Sequence, residues 1–293
     1  VRLDLARALG AMHLFDDADQ HLAAARKLSD KDEMLSRRAL SFEGELAMRK
    51  GDFRRSLVAF EEASKLLESA TRAESTRILG GLAQSLAATG QVERALETMD
   101  RADELLSPSD RLGQLENTKL RALVHFLTGD FEKAVRESER AIQFARDLGL
   151  DYEVAINLHN LGDALLRLGD APRAYASFQQ SLSMFDDLGQ ERMVAQNRGY
   201  IAYLDALQGG EASRDAERML EEAIAYAAVH GYSWDEVNGR YLLALLHERK
   251  GEVAAARREL QRTRDLADSI GFGLVVRDCT AALARLEDST WDA

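Results

Sequence analysis

The chain has 293 residues, 46% of them hydrophobic and 30% charged, with a formal net charge of −12. This composition provides enough apolar material for a folded core. The acidic balance makes direct binding to nucleic acid or to an anionic membrane a poor electrostatic match, so we expect neither. The sequence has no run of 18 apolar residues, so no transmembrane helix is expected. The one cysteine, Cys279, cannot form an internal disulfide and favours a reducing compartment, the cytoplasm.

A glycine that ends one helix and is followed five positions later by a small residue recurs along the chain. The glycines are Gly51, Gly90, Gly129, Gly169 and Gly251, and the first four of them are 39, 39 and 40 residues apart. Two further copies are degenerate: His13 replaces the glycine in the first, and Gly209-Gly210 comes late in the sixth. Such a period indicates a stack of similar units in which each hairpin needs its neighbours to bury its apolar face.

Two prolines in the whole chain favour nearly continuous helix. With Ser107-Pro108 as the clearest turn between hairpins, the pattern predicts seven helix hairpins and a last helix at about 275–287 that caps the stack. No low-complexity linker divides the chain, so we expect one continuous domain over 1–293. The predicted hairpins are 1–28, 32–69, 71–106, 110–148, 151–187, 191–230 and 233–270.

The hairpin at 151–187 shows why these residue types recur. Leu161 and Gly162 share one face of its first helix, and Ala174 and Phe178 share one face of its second. Two antiparallel helices approach closely only where one of them lacks bulk. We therefore expect Gly162 and Ala174 at the close approach and Leu161 and Phe178 in the seam.

These residues carry a family resemblance. The series Leu161-Gly162, Gly169-Asp170, Ala174, Phe178 and Ser181 resembles the tetratricopeptide repeat, and the copy that begins at Gly44 is similar. The period near 40 differs from the common 34 and resembles the long-repeat subclass of LGN/Pins-type scaffolds, kinesin light chains and bacterial MalT-like signalling proteins. The resemblance implies an all-α, right-handed α-solenoid of about seven antiparallel hairpins with a C-terminal capping helix.

Catalytic patterns are missing from the sequence. None of the six histidines forms an HExxH or H-x-H pair, and the sequence has no phosphate-binding glycine loop and no nucleophile elbow. His125 and His247 fall at a repeat position that usually holds a large core side chain, so we interpret them as packing residues. We expect no catalytic residue, no metal and no cofactor, and therefore no enzyme.

The first helix of each hairpin is expected to point four residues into a concave groove, and this groove becomes aromatic late in the chain. Tyrosine combines a large apolar face with a hydroxyl group and often dominates binding energy. An equally weighted alternative is that these tyrosines pack between neighbouring helices. In LGN-like repeats, groove asparagines hold a peptide backbone, and an inter-helix or surface role is the alternative for them here. The candidate binding residues are Asn160, Asp163, Arg167, Gln196, Asn197, Tyr200, Tyr203, Asn238 and Tyr241.

Three functional hypotheses follow. The leading one is a non-enzymatic scaffold that holds a peptide or helix of a protein partner in the groove. The alternative is a sensor module of a larger signalling protein, such as a kinase, an ATPase or a transcription regulator, that binds a small effector or its own catalytic or DNA-binding domain. The start of the chain inside a helical pattern favours this alternative. The third is self-assembly into a homodimer through the end hairpins.

Overall fold

The computed structural model of the protein describes residues 1–12, 14–29, 32–107, 109–209 and 212–288. His13, Pro108 and Gly210, named above, lie outside the described residues. The described residues form fifteen α-helices, none of them both long enough and apolar enough to cross a membrane. They are α1 (Arg2–Ala11), α2 (Phe15–Ser29), α3 (Glu33–Lys50), α4 (Phe53–Ser64), α5 (Arg72–Ala88), α6 (Val92–Glu104), α7 (Arg111–Thr128), α8 (Phe131–Asp147), α9 (Asp151–Arg167), α10 (Ala171–Asp187), α11 (Glu191–Gln208), α12 (Ala212–His230), α13 (Ser233–Arg249), α14 (Val253–Ile270) and α15 (Gly273–Asp288).

The helices follow one another as packed pairs, which confirms the prediction of an all-α solenoid of helical repeats. The chain divides into two compact units, Val1–Leu120 and Arg121–Ala293, and the division falls within α7. Each unit is described by itself below. The expectation of one continuous domain stays a prediction.

Local sequence sets the helix boundaries. At the turn between α9 and α10, Gly169 has φ +79°, a left-handed conformation that glycine adopts without steric cost. The next residue, Asp170, accepts a hydrogen bond from the backbone N–H of Arg173 at 3.3 Å and so caps the new helix. Asp52 and Asp130 cap α4 and α8 in the same way. A Gly-Asp pair therefore ends one helix and begins the next.

The hairpin of α9 and α10 in the second unit is packed as its sequence predicts. Phe178 and Ala174 are fully buried, and a Cβ added to Gly162 would lie 2.9 Å from the Phe178 ring. Ser181 donates a hydrogen bond from its hydroxyl to the carbonyl of Ala155 at 2.9 Å, between the two helices. The small residues therefore let the helices approach, and the phenylalanine fills the seam between them.

The first unit repeats this device with one ring between two glycines. Phe60 of α4 lies against Gly44 of α3 and Gly81 of α5, where an added Cβ would approach the ring to 2.5 Å and 2.3 Å. Beside it, the buried hydroxyls of Ser56 and Ser85 are 2.9 Å apart and hydrogen-bonded. Because α3 and α4 form one hairpin and α5 begins the next, this ring joins consecutive repeats.

The last described helix, α15, packs on α13 and α14. Phe272, just before the helix, is fully buried and stacks on Trp234 at the start of α13, with ring centres 4.3 Å apart. Cys279 is buried on the packed face, and burial raises the pKa of its thiol to about 12. This cysteine is therefore a neutral packing residue rather than a reactive thiolate.

Candidate functional site

A cavity of about 320 Å³ lies among the first helices of the hairpins in the second unit. Its walls come from α9, α11 and α13, with one side chain from the last helix, α15, and one from the start of α8. The wall combines aromatic, aliphatic and charged groups. The lining residues are Phe131, Asp163, Leu166, Arg167, Tyr200, Tyr203, Asn238, Tyr241, Leu242, Leu245 and Asp278.

Arg167, the last residue of α9, is the central cation of this cavity. Its Nη1 donates a hydrogen bond to Oδ2 of Asp278 in α15, and its Nε lies 3.9 Å from Oδ1 of Asp163, one helical turn earlier. The guanidinium carbon is 4.9 Å from the ring centre of Tyr241 and 5.9 Å from that of Phe126. Ion pairs and aromatic faces together hold the guanidinium in one place.

Tyr200 of α11 connects the cavity with the hairpin seam behind it. Its ring stacks on Phe178 with ring centres 4.5 Å apart, and it meets the His159 ring edge-on at 5.3 Å. Its hydroxyl donates a hydrogen bond to Oδ2 of Asp163 at 3.0 Å. Tyr200 therefore packs between helices and also lines the cavity, so the two alternatives considered for this tyrosine are compatible.

Burial decides how the charged groups of the cavity titrate. Burial raises the pKa of Asp163 above its usual value, and the neighbouring guanidinium of Arg167 offsets only part of this effect. Burial lowers the pKa of Arg167, but the carboxylates of Asp163 and Asp278 outweigh it, so the net shift is upward. Burial raises the pKa of Tyr241 to about 12. Arg167 is therefore charged and Tyr241 neutral near pH 7.

Asn238 of α13 lines the cavity and carries a buried hydrogen-bonding group without a partner among the described residues. The residue is 3% exposed, and the group is its side-chain Nδ2. Leaving a buried amide donor without a partner costs about 1–3 kcal/mol. Tyr203 and Tyr241 line the same cavity.

Three other predicted site residues lie outside this cavity. Asn197 of α11 is fully buried; it donates from Nδ2 to the carbonyl of Met193 at 2.8 Å, and its Oδ1 lies 3.1 Å from Nδ1 of His159. Gln196 donates to Oδ1 of Asp235 at 3.3 Å. Asn160 is half-buried and lines a small crevice beside Trp234. Both hydrogen-bonding groups of Asn197 are thus used, one within α11 and one towards His159 of α9.

Asp278 was missed by the sequence reasoning, because the last helix was treated only as a cap. A signal was present: Asp278 is the sixth residue of α15, as Asn238 is of α13. Extending the repeat register into α15 predicts that Asp278 also faces inward.

Metal-ligating side chains converge once in the part of the chain that the structure describes, at Glu217, His247 and Glu252. Nδ1 of His247 lies 2.6 Å from Glu252, and Lys250 is 2.6 Å from Glu217. Each of these three side chains therefore already has a protein partner, so we assign no metal to them. His247 is 8% exposed.

Comparison with known proteins agrees with this architecture. Two tetratricopeptide repeat family models match residues 43–110 and 114–187. A comparison with curated proteins finds no match. Among solved structures, the chain is similar to a Rap protein complexed with Competence and Sporulation Factor, with 15% identity and a TM-score of 0.63, covering 99% of this chain and 98% of that one.

Two further structures share the fold. The apo form of RapI has 13% identity and a TM-score of 0.69, with 92% of this chain and 97% of that chain covered. A STAND signal transduction ATPase with a tetratricopeptide repeat sensor, from Pyrococcus horikoshii, has 13% identity and a TM-score of 0.61, with 98% of this chain and 44% of that one covered. The fold supports a protein-interaction scaffold. With the repeated glycine and phenylalanine packing and the matches to both repeat models, the chain is a tetratricopeptide-repeat protein.

Proposed function

We propose that the second unit binds an extended peptide segment of a protein partner in the cavity lined by Asn238, Tyr203 and Tyr241. The observation that carries the proposal is the unpartnered, buried carboxamide of Asn238. A folded protein retains such a group at a cost in stability, and a ligand that pairs with it recovers that cost.

A peptide backbone suits this carboxamide because an amide can donate to a carbonyl and accept from an N–H at the same time. The rings of Tyr203 and Tyr241 add apolar contact area at low cost in side-chain entropy. Among the similar structures, one Rap protein holds a factor in its complex, which supports a binding role for this type of fold. We infer from the single cysteine that the chain works in the cytoplasm.

Peptide selection with the purified chain tests the proposal. A displayed library of random 12-residue peptides is selected against the wild-type protein, and the enriched peptides are titrated by fluorescence polarisation. Asn238→Leu keeps the side-chain volume and removes the amide. We expect its affinity for the enriched peptides to fall about tenfold or more, the loss of roughly one buried hydrogen-bonded pair.

Stability provides the control for this variant. Asn238→Leu should unfold at the same or a higher urea concentration than wild type, because it removes an unpaired buried amide. Asn197→Leu should unfold at a lower urea concentration than wild type, because it loses an amide that bonds to both Met193 and His159. Selection that enriches no peptide, or only peptides that bind Asn238→Leu as well as wild type, rules out the proposed site.

A second candidate is a sensor that binds a small effector in the same cavity. Its volume of about 320 Å³ is at the lower end of the range of small-molecule pockets. A thermal-shift screen with single amino acids, dipeptides and nucleotides tests it. A shift that wild type shows and Asn238→Leu lacks, without any peptide from the library, favours the sensor. The intrachain partner domain and the homodimer stay predictions.

A further inference from the structure

The cavity holds two carboxylates and one guanidinium. Among its lining residues, Asp163 and Asp278 are the acids and Arg167 is the base. Arg167 contacts both carboxylates, through Nη1 with Asp278 and through Nε with Asp163. One positive charge balances only one of the two negative charges, so the charged cavity carries one excess negative charge.

Among the described residues that line the cavity, Arg167 is the one cation. Tyr200 gives Asp163 a hydrogen bond but no charge. Two arginines outside the lining act on Tyr203 and Tyr241 through their charge. Of these, Arg249 donates to the carbonyl of Leu207, and Arg285 lies 3.5 Å from Glu248. Burial lowers the pKa of His159, so its imidazole is neutral near pH 7. The raised pKa of Asp163 is the expected sign of a buried carboxylate whose charge is not fully compensated.

The walls are suited to a cation as well. Aromatic faces attract cations, and one face of Tyr241 already lies against Arg167 at 4.9 Å. Tyr203 provides a further aromatic wall of the same cavity. Asp278 is the more accessible carboxylate, with 26% of its side chain exposed against 11% for Asp163. An incoming positive charge therefore meets Asp278 first.

An anionic group fits this arrangement poorly. To pair with Arg167, the anion would have to break the ion pair between Arg167 and Asp278. Asp163 and Asp278 would then both lack a cationic partner, where only one negative charge is unbalanced now. Like charges placed together in a desolvated site cost several kcal/mol in typical interfaces. The charge balance therefore favours a positively charged ligand group.

Resting on the proposed function, we infer that the cavity selects a peptide carrying a lysine or arginine side chain, whose charge pairs with Asp278. Asp278 then determines specificity. The last helix, which also packs on α13 and α14, becomes part of the binding site rather than a cap alone.

The composition of the selected peptides is the first test. Peptides that depend on Asn238 should share a lysine or arginine at a fixed position. In a chosen peptide, that residue is replaced by norleucine, which keeps the aliphatic chain and removes the charge. We expect wild-type affinity to fall about tenfold, the loss of one charge pair of about 1.4 kcal/mol.

A double-mutant cycle tests Asp278 itself. Asp278→Asn should bind the charged peptide about tenfold more weakly than wild type does. The variant should also bind the charged and norleucine peptides with equal affinity. Asp187→Asn is the matched control, because Asp187 is exposed on α10 outside the cavity. It should bind both peptides like wild type. Circular dichroism confirms that each variant is folded.

The outcomes distinguish failure of this inference from failure of the proposed peptide site. Peptides that depend on Asn238 but are neutral or acidic, or that lose nothing with Asp278→Asn, overturn the inference and leave the proposed function standing. If no peptide depends on Asn238, both fail together.

Discussion

Arg167 of α9 and Asp278 of α15 form an ion pair across 111 positions of sequence. Both residues belong to the second unit, and their pairing brings the last helix to the wall of a cavity built mainly by α9, α11 and α13.

Removing the cation of this pair should destabilise the second unit. Arg167→Met keeps most of the side-chain length but leaves Asp163 and Asp278 without their shared partner. Breaking a buried pair in this way costs about 3–5 kcal/mol, because an uncompensated charge remains. Urea unfolding followed by circular dichroism measures the loss.

Arg173→Met provides the matched control. Arg173 contacts Glu139 at 2.8 Å, but about half of each side chain is exposed. Exposed pairs contribute about 0–1 kcal/mol. Equal losses for the two variants would contradict the role assigned to Arg167.

Deleting the hydroxyl of Tyr200 should destabilise the protein without disturbing its ring stack. Tyr200→Phe keeps the contact with Phe178 and removes the hydrogen bond to Asp163. A hydrogen bond to a charged group contributes about 1.5–3 kcal/mol. Tyr175→Phe is the control. The hydroxyl of the half-exposed Tyr175 accepts a hydrogen bond from Gln179, so its removal should lower the free energy of unfolding by less than half as much. The urea concentrations at the unfolding midpoints of the two variants, each compared with wild type, test this difference.

Adjacent glycines of α5 should respond differently to alanine. In Gly81→Ala, the new Cβ would lie 2.3 Å from the buried ring of Phe60, and overpacking of this kind costs about 1–3 kcal/mol. In Gly80→Ala, the nearest atom is the end of the half-buried Leu120 side chain, which can rotate away. Alanine is also the better helix former by about 1 kcal/mol.

We therefore expect Gly81→Ala to lower the unfolding midpoint and Gly80→Ala to leave it unchanged or raise it. Replacing Phe60 by leucine in the Gly81→Ala background should recover part of the loss. A drop in both alanine variants would point to a backbone requirement rather than to the ring.

His159 should make stability depend on pH. Burial lowers the pKa of its imidazole in the folded state below the 6.5 of the free side chain, although Asn197, Asp163 and Asp235 oppose this shift and Arg192 adds to it. Below pH 6.5 the unfolded chain binds a proton that the folded chain does not, so the contribution of His159 is present above 6.5 and is lost as pH falls.

His159→Gln removes the titration and keeps a hydrogen-bonding group for Asn197. The difference in unfolding free energy between wild type and this variant should shrink as pH falls from 7 towards about 5. A difference that stays constant over this range would show that His159 does not titrate differently in the two states.

The sequence by itself determined the repeat architecture. From Gly51 to Gly169 a glycine recurs every 39 or 40 residues, followed by an aspartate in three of these four copies and by a later phenylalanine in two. These residues act locally, because chain reversal, helix capping and close helix approach depend on neighbours within one hairpin. The pairing of Gly162 with Phe178 could therefore be predicted from spacing alone.

Only the tertiary structure decided which inward positions share one cavity. The residues Asp163, Arg167, Tyr200, Tyr203, Asn238 and Tyr241 line it. Asn197 instead uses both of its hydrogen-bonding groups on protein partners, Met193 in its own helix and His159 in α9. A helical register fixes the face on which a residue lies, but not whether its polar atoms already have partners. The Asp278 partner of Arg167 needed the tertiary structure as well, because 111 positions of sequence separate the two residues and only helix packing brings their side chains together.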